Sequence, residues 1–155
     1  MSSLSEEVDM LRRVPLFAQI EPSKLKLLAF TSERLAFDEN QDVFRQGDEG
    51  DAAYVIMQGS ADVVVNTPKG ETVVAVLSDN AFIGEIAILC DVPRTATIRA
   101  KSDLQTLKIK KEDFLGLVKE FPDMAVEVMR ELAARLGKTT AELSQVRQQL
   151  SAKGS

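Results

Sequence analysis

Between about Thr31 and Ile109 the apolar residues fall in short runs broken by turn residues, a rhythm few folds can accommodate. The runs include Asp42-Val43-Phe44, Ala53 to Met57, Ala61 to Val65, Thr72 to Leu77, Thr95 to Ala100 and Leu104 to Ile109. Ser32 to Phe37 also reads as a strand. Gly47, Gly50, Gly59 and the Thr67-Pro68-Lys69-Gly70 turn punctuate them. Short strands with turn signals at this spacing predict an antiparallel sandwich or barrel. One segment breaks the rhythm: Phe82 to Pro93 reads as a short helix and loop inserted into the β region.

The flanks are helical. Leu4 to Val14 is an amphipathic stretch stopped by Pro15, and Pro22 sits at a first helical position ahead of Leu25, Leu27, Leu28 and Phe30. Lys110 to Phe121 forms another amphipathic piece. From Pro122 to Leu150 no further proline intervenes, which allows a helix about 40 Å long. The expected fold is α+β: an antiparallel, jelly-roll-like β-barrel (31–109) flanked by N-terminal helices (1–30) and long C-terminal helices (110–150). At 155 residues the chain has the length of a single domain, 1–155.

The last helix repeats in heptads. One seam holds Met129, Leu136, Leu143 and Leu150, the other Ala125, Leu132, Thr139 and Val146. Nearly four repeats reach the usual minimum for a coiled coil. Packing on its own barrel is the alternative, but so long a helix would overhang a small barrel. The reading favoured is a homodimer through the C-terminal helix. Thr139 interrupts the seam, and a polar seam residue costs stability unless it has a role.

Composition removes much of the enzyme repertoire. With no histidine and Cys90 the only cysteine, His-based nucleophile arrangements, His-ligated metals, Cys-cluster zinc sites and internal disulfides are excluded. A lone cysteine is usually a small core residue. Asp38, Asn40, Asp42 and Glu49 fall at calcium-loop spacing, yet the position that should be glycine is Val43. No metal, cofactor or enzymatic activity is expected. Against 24 acidic stand 19 basic residues, a net charge of −5, without the basic stripe of a nucleic-acid binder. No apolar run approaches the ~18 residues of a membrane span, and the acids near the N-terminus are unlike a secretory leader. A cytoplasmic location is the default expectation.

The chemistry concentrates in Phe82-Ile83-Gly84-Glu85-Ile86-Ala87-Ile88-Leu89 and Pro93-Arg94-Thr95-Ala96-Thr97. Gly84 lets backbone approach a ligand closely. Glu85, Ile86 and Ala87 can open a short helix whose free N–H groups favour an anion, and Arg94 adds a planar fork suited to phosphate. Glu85 would repel that anion unless it faces a hydroxyl donor on the same ligand. Anion and hydroxyl in adjacent reach point to a ribose phosphate. The bland alternative is a Glu85–Arg94 surface salt bridge of little consequence.

At these residues the chain resembles the phosphate-binding cassette of cyclic nucleotide-binding domains, through Gly84-Glu85-Ile86-Ala87-Ile88, a short loop, and Arg94-Thr95-Ala96-Thr97. It looks most like the sensor half of bacterial catabolite-activator-type regulators, and the resemblance extends over nearly the whole chain. It implies that Arg94 pairs with the phosphate of a cyclic nucleotide, assisted by backbone N–H groups of Ala87 and of Thr95 or Ala96. Glu85 would accept from the ribose 2′-hydroxyl beside the Gly84 backbone, and Ile86 belongs to the same turn. Arg135-Leu136-Gly137-Lys138-Thr139-Thr140 resembles the stretch that reaches the base, making Thr139 and Thr140 base-contact candidates. Thr95 matches members that accept cyclic GMP, while Thr139 and Thr140 favour cyclic AMP. The implied partners are a cyclic nucleotide, a second copy of the chain and an effector protein, with no membrane and no nucleic acid contacted by this chain alone. The alternatives are a structural dimerisation module without ligand, and the sensor fragment of a longer transcription regulator.

Overall fold

Helix signals at the N-terminus work as elementary capping rules require. In the computed structural model, which describes residues 4–18 and 20–153 apart from the side chains of 131, 132, 135, 136, 138–143, 146 and 149–153, α1 spans Leu4–Arg12. It has Glu6 and Glu7 in its first turn and Arg12 in its last, the polarity that complements the helix dipole. Val8 and Leu11 face inward. A 3-10 turn, Pro15–Phe17, follows and buries Leu16 and Phe17. Helix α2 (Pro22–Thr31) opens with its proline inside the first turn and buries Leu25, Leu28 and Ala29.

The β region forms β1 (Glu33–Phe37), β2 (Asp42–Phe44), β3 (Ala52–Gln58), β4 (Ala61–Thr67), β5 (Gly70–Leu77), β6 (Phe82–Ile83), β7 (Thr97–Ala100) and β8 (Leu104–Lys110). They pair antiparallel in two four-stranded sheets, ordered β1-β8-β3-β6 and β2-β7-β4-β5. The fold class is as expected, an antiparallel jelly-roll-like β structure with helices before and after it. The β region is two sheets rather than a barrel closed by hydrogen bonds, and β2, β5, β1 and β6 are edges.

The sheets bury a common core. Ala52, Tyr54 and Ile56 of β3 cluster with Ala61, Ile83, Ile98, Ala100 and Leu104. Each large apolar side chain fully buried this way contributes about 1.5–3 kcal/mol. Strand β3 is buried at every position from Ala52 to Met57, because it is central in its sheet and helices cover its other face. That explains its unbroken apolar run, where a half-exposed strand would alternate.

Turn chemistry sets the registers. In the β4–β5 hairpin Thr67 pairs with Gly70; Gly70 has φ +109°, and the Thr67 hydroxyl donates to the Gly70 carbonyl at 2.8 Å. Gly59, between β3 and β4, has φ +99°, and a Cβ there would collide with the Asp103 carbonyl. Aromatic rings tie the helices to the sheet. Phe82 of β6 meets Phe17 edge-on at 5.2 Å and Phe114 at 5.4 Å.

Contacts divide the chain into two compact units, Met1–Leu117 and Val118–Ser155. Helix α4 (Lys111–Glu120) buries Phe114 and Leu117. Helix α5 runs over Pro122–Lys153, 32 residues, or about 48 Å at 1.5 Å per residue. Of the two seams, Ala125 is half-buried and Met129 exposed. Leu132, Leu136, Thr139, Leu143, Val146 and Leu150 have side chains outside those described.

Candidate functional site

The segment that breaks the β rhythm is itself part strand, part helix. Phe82 and Ile83 form β6, a two-residue edge strand paired with Val55 and Tyr54 of β3. Reading the whole stretch as helix and loop missed it, since two residues carry no detectable period. Gly84 then turns the chain with φ +91° into α3 (Glu85–Cys90). Only glycine suits that position. A Cβ would stand 2.5 Å from Arg94 Nη1 and 3.2 Å from the Ala52 carbonyl oxygen. Gly50 is a second close approach, since a Cβ there would overlap the Ala87 methyl. Helix α3 stops at Asp91, itself left-handed at φ 52°.

Arg94 lies at the centre, 3% exposed. Its Nη1 donates to the Gly84 carbonyl at 3.0 Å and its Nη2 to the Ala52 carbonyl at 2.5 Å. The guanidinium carbon stands 3.9 Å over the centre of the Phe44 ring. Asp51 approaches Nη2 only to 3.9 Å, with its own side chain well exposed. Nε is buried without a hydrogen-bond partner. The backbone holds the residue as firmly: Arg94 N–H donates to the Asp48 carbonyl, and the Arg94 carbonyl accepts from Gly47 N–H, each at 2.8 Å. Burial lowers the pKa of Arg94, while Tyr54, Asp51, Asp48 and Glu85 work the other way. So high a starting value leaves arginine charged at neutral pH.

The other cassette residues gather around the same turn. Glu85 is 5% exposed, and its charge is close enough to act on Arg94. Ala87 is buried, Ile86 and Ala96 are half-buried, and Thr95 is exposed. Thr97 is buried, its hydroxyl accepting from Gln46 N–H at 2.9 Å. The structure thus brings Gly84, Glu85, Ile86, Ala87 and Arg94 together, with Thr95 and Ala96 directly following on the loop into β7. Thr139 and Thr140 fall on α5, in the other unit, and their side chains lie outside those described.

Sequence patterns did not reveal the partners of Arg94. Phe44 reads as an ordinary strand residue, Ala52 acts through its carbonyl, and Tyr54 looks like core. Tyr54 packs behind Phe44 with ring centres 5.8 Å apart, and burial, then Asp51, raises its phenol pKa. Cys90 is exposed rather than buried, because it ends a short surface helix. Asp42 of the apparent calcium spacing is committed elsewhere, accepting from Arg99 Nε at 2.7 Å and Arg45 Nε at 3.1 Å.

Arg94 is thus a buried arginine with one unpaired N–H, beside the left-handed glycine that opens α3. The pattern of the cyclic nucleotide-binding domain matches residues 34–121. The cAMP-dependent protein kinase regulatory subunit of Blastocladiella emersonii is 36% identical over 115 residues, covering 74% of this chain and 28% of that protein. The cyclic AMP receptor protein of Thermus thermophilus is 29% identical over 130 residues, covering 83% of this chain and 60% of that one. The sensor domain of the transcriptional regulator DNR from Pseudomonas aeruginosa shares the fold, with TM-score 0.80 at 24% identity over 92% of this chain and 96% of that one. The chain thus spans less than a third of the first of these curated relatives and less than two thirds of the second. On the strength of the match across residues 34–121, the chain belongs to the cyclic nucleotide-binding domain family.

Proposed function

We propose that residues 1–155 form one regulatory sensor domain that binds a 3′,5′-cyclic nucleotide, cyclic AMP in preference to cyclic GMP. The observation that carries this reading is the buried Arg94 guanidinium, held against Gly84 with Nε unpaired. A cyclic phosphate would take the arginine fork and the N–H groups of Ala87 and of Thr95 or Ala96. Glu85 would accept from the ribose 2′-hydroxyl, with Gly84 and Ile86 shaping the turn. Thr139 and Thr140 would meet the base and set the preference for cyclic AMP. The two relatives support the choice of ligand, one being a regulatory subunit of a cAMP-dependent protein kinase and the other a cyclic AMP receptor protein.

The signal would leave through movement of α5. A ligand contacting both the cassette and α5 favours the arrangement in which both contacts are made, a shift of population. The exposure of Met129 on α5, 60%, supports a homodimer through that helix, and an effector protein would receive the output. Among the described residues no helix is long and apolar enough to cross a membrane. The role proposed is cytoplasmic and non-catalytic, with no metal cofactor and no nucleic acid contacted by this chain alone.

Calorimetric titration with cyclic AMP and cyclic GMP tests the reading. Saturable binding that weakens at least about tenfold in Arg94→Ala is expected, since each hydrogen bond to a charged group is worth about 1.5–3 kcal/mol. Absence of binding by either nucleotide, or unchanged affinity in Arg94→Ala, overturns it.

A further inference from the structure

We infer that Phe44 is a positioning residue for the phosphate clamp, its ring holding the Arg94 guanidinium face-on against the Gly84 and Ala52 carbonyls until a phosphate takes it over. The inference rests on the cyclic nucleotide reading of the site and adds to it a residue that touches no ligand.

The Arg94 side chain is 2% exposed, so its charge has lost nearly all contact with water. A buried guanidinium is commonly held by a carboxylate, but the Asp51 pair is long at 3.9 Å and largely solvated on the Asp51 side. Beside the charges of Asp51, Asp48 and Glu85, the cation meets a ring at 3.9 Å and two main-chain carbonyls. Cation–π attraction is strongest when desolvated. Ring and carbonyls stabilise the positive charge without cancelling it, so it stays available to an anion. A phosphate offers charge-assisted bonds roughly twice as strong as those between neutral groups, which favours the exchange of carbonyl for phosphate. The ring, partly buried and packed against the core, remains as the platform.

Local structure aims Phe44 at this task. Strand β2 pairs with β7 through Asp42 and Phe44, and the register shifts between these two residues. Such irregularities re-aim a side chain. Phe44 then pairs with Ile98, four residues beyond Arg94, and Tyr54 backs its ring at 5.8 Å.

Two measurements on the whole chain test the role. In the absence of ligand, thermal unfolding of Phe44→Leu, Arg94→Met and the double variant should be non-additive by about 2–4 °C. With cyclic AMP, Phe44→Leu should bind about three- to thirtyfold more weakly, and Phe44→Tyr, which keeps the aromatic face, should recover to within about threefold of the parent. Additive melting shifts, unchanged affinity in Phe44→Leu, or Phe44→Tyr as weak as Phe44→Leu overturns the role of Phe44. An unmodified chain that binds no cyclic nucleotide overturns instead the reading of the whole site.

Discussion

Nη1 of Arg94 donates to the carbonyl oxygen of Gly84 at 3.0 Å, across ten residues of chain. The bond makes the helix-opening turn and the arginine a single unit. Gly84 has φ +91°, and a Cβ on it would stand 2.5 Å from Nη1 itself. Gly84→Ala should therefore act twice, straining the backbone by about 1–3 kcal/mol and displacing the guanidinium. A lower urea midpoint together with at least about tenfold weaker nucleotide binding is expected, and a variant with parental affinity would contradict it.

Glu85 offers a test specific to the sugar. If its carboxylate accepts from the ribose 2′-hydroxyl, Glu85→Gln should weaken binding of the cyclic nucleotide by roughly tenfold. The 2′-deoxy analogue lacks that hydroxyl and should bind parent and variant about equally. Equal losses for both ligands would assign Glu85 a structural role only.

Tyr54 is the sole tyrosine, in a chain without tryptophan, so tyrosinate absorbance near 295 nm reports on it alone. Burial, followed by Asp51, raises its pKa above the usual 10.0. The unfolded chain then loses its proton first, and stability falls as pH rises from about 10 through the folded value. A titration midpoint above 10 is expected, with Tyr54→Phe removing that part of the alkaline loss. A midpoint at or below 10 would refute it.

Within the second sheet Arg99 of β7 links three strands, donating to Asp42 of β2 at 2.7 Å and to Glu71 of β5 at 2.7 Å. Those two hydrogen bonds raise its pKa. The side chain is partly solvated, 30% exposed, so screening limits its value. Arg99→Met should cost about 1 kcal/mol in urea unfolding, less in high salt, without altering nucleotide affinity. A loss of several kcal/mol would show a larger structural role.

Base preference can be tested at Thr139. Thr139→Ala should narrow the ratio of cyclic AMP to cyclic GMP affinity by about tenfold or less, the worth of one hydrogen bond. An unchanged ratio removes Thr139 from the base contact.

Most of the strand framework was legible because turn glycines and short apolar runs each carry a local cause. Gly59, Gly70 and Gly84 have positive φ, and Pro22 opens its helix. The cassette was legible as residue types at fixed spacing. What lay hidden depended on tertiary direction. Arg94 turns inward onto carbonyls, Phe44 is aimed by a register shift, and Phe82–Ile83 borrows its strand character from β3. Backbone acceptors leave no mark on a sequence. Sheet closure is equally non-local, and the predicted barrel resolved into two sheets.

Phe82, two residues before Gly84, touches Phe17 and Phe114 at once. Interiors packed to crystal density leave no slack for one ring to move alone. Phe82 is thus wedged between the Pro15–Phe17 turn and α4, and any displacement of its ring would have to be met on both sides. Two stretches nearly a hundred residues apart in sequence are thereby clasped by a single side chain of β6.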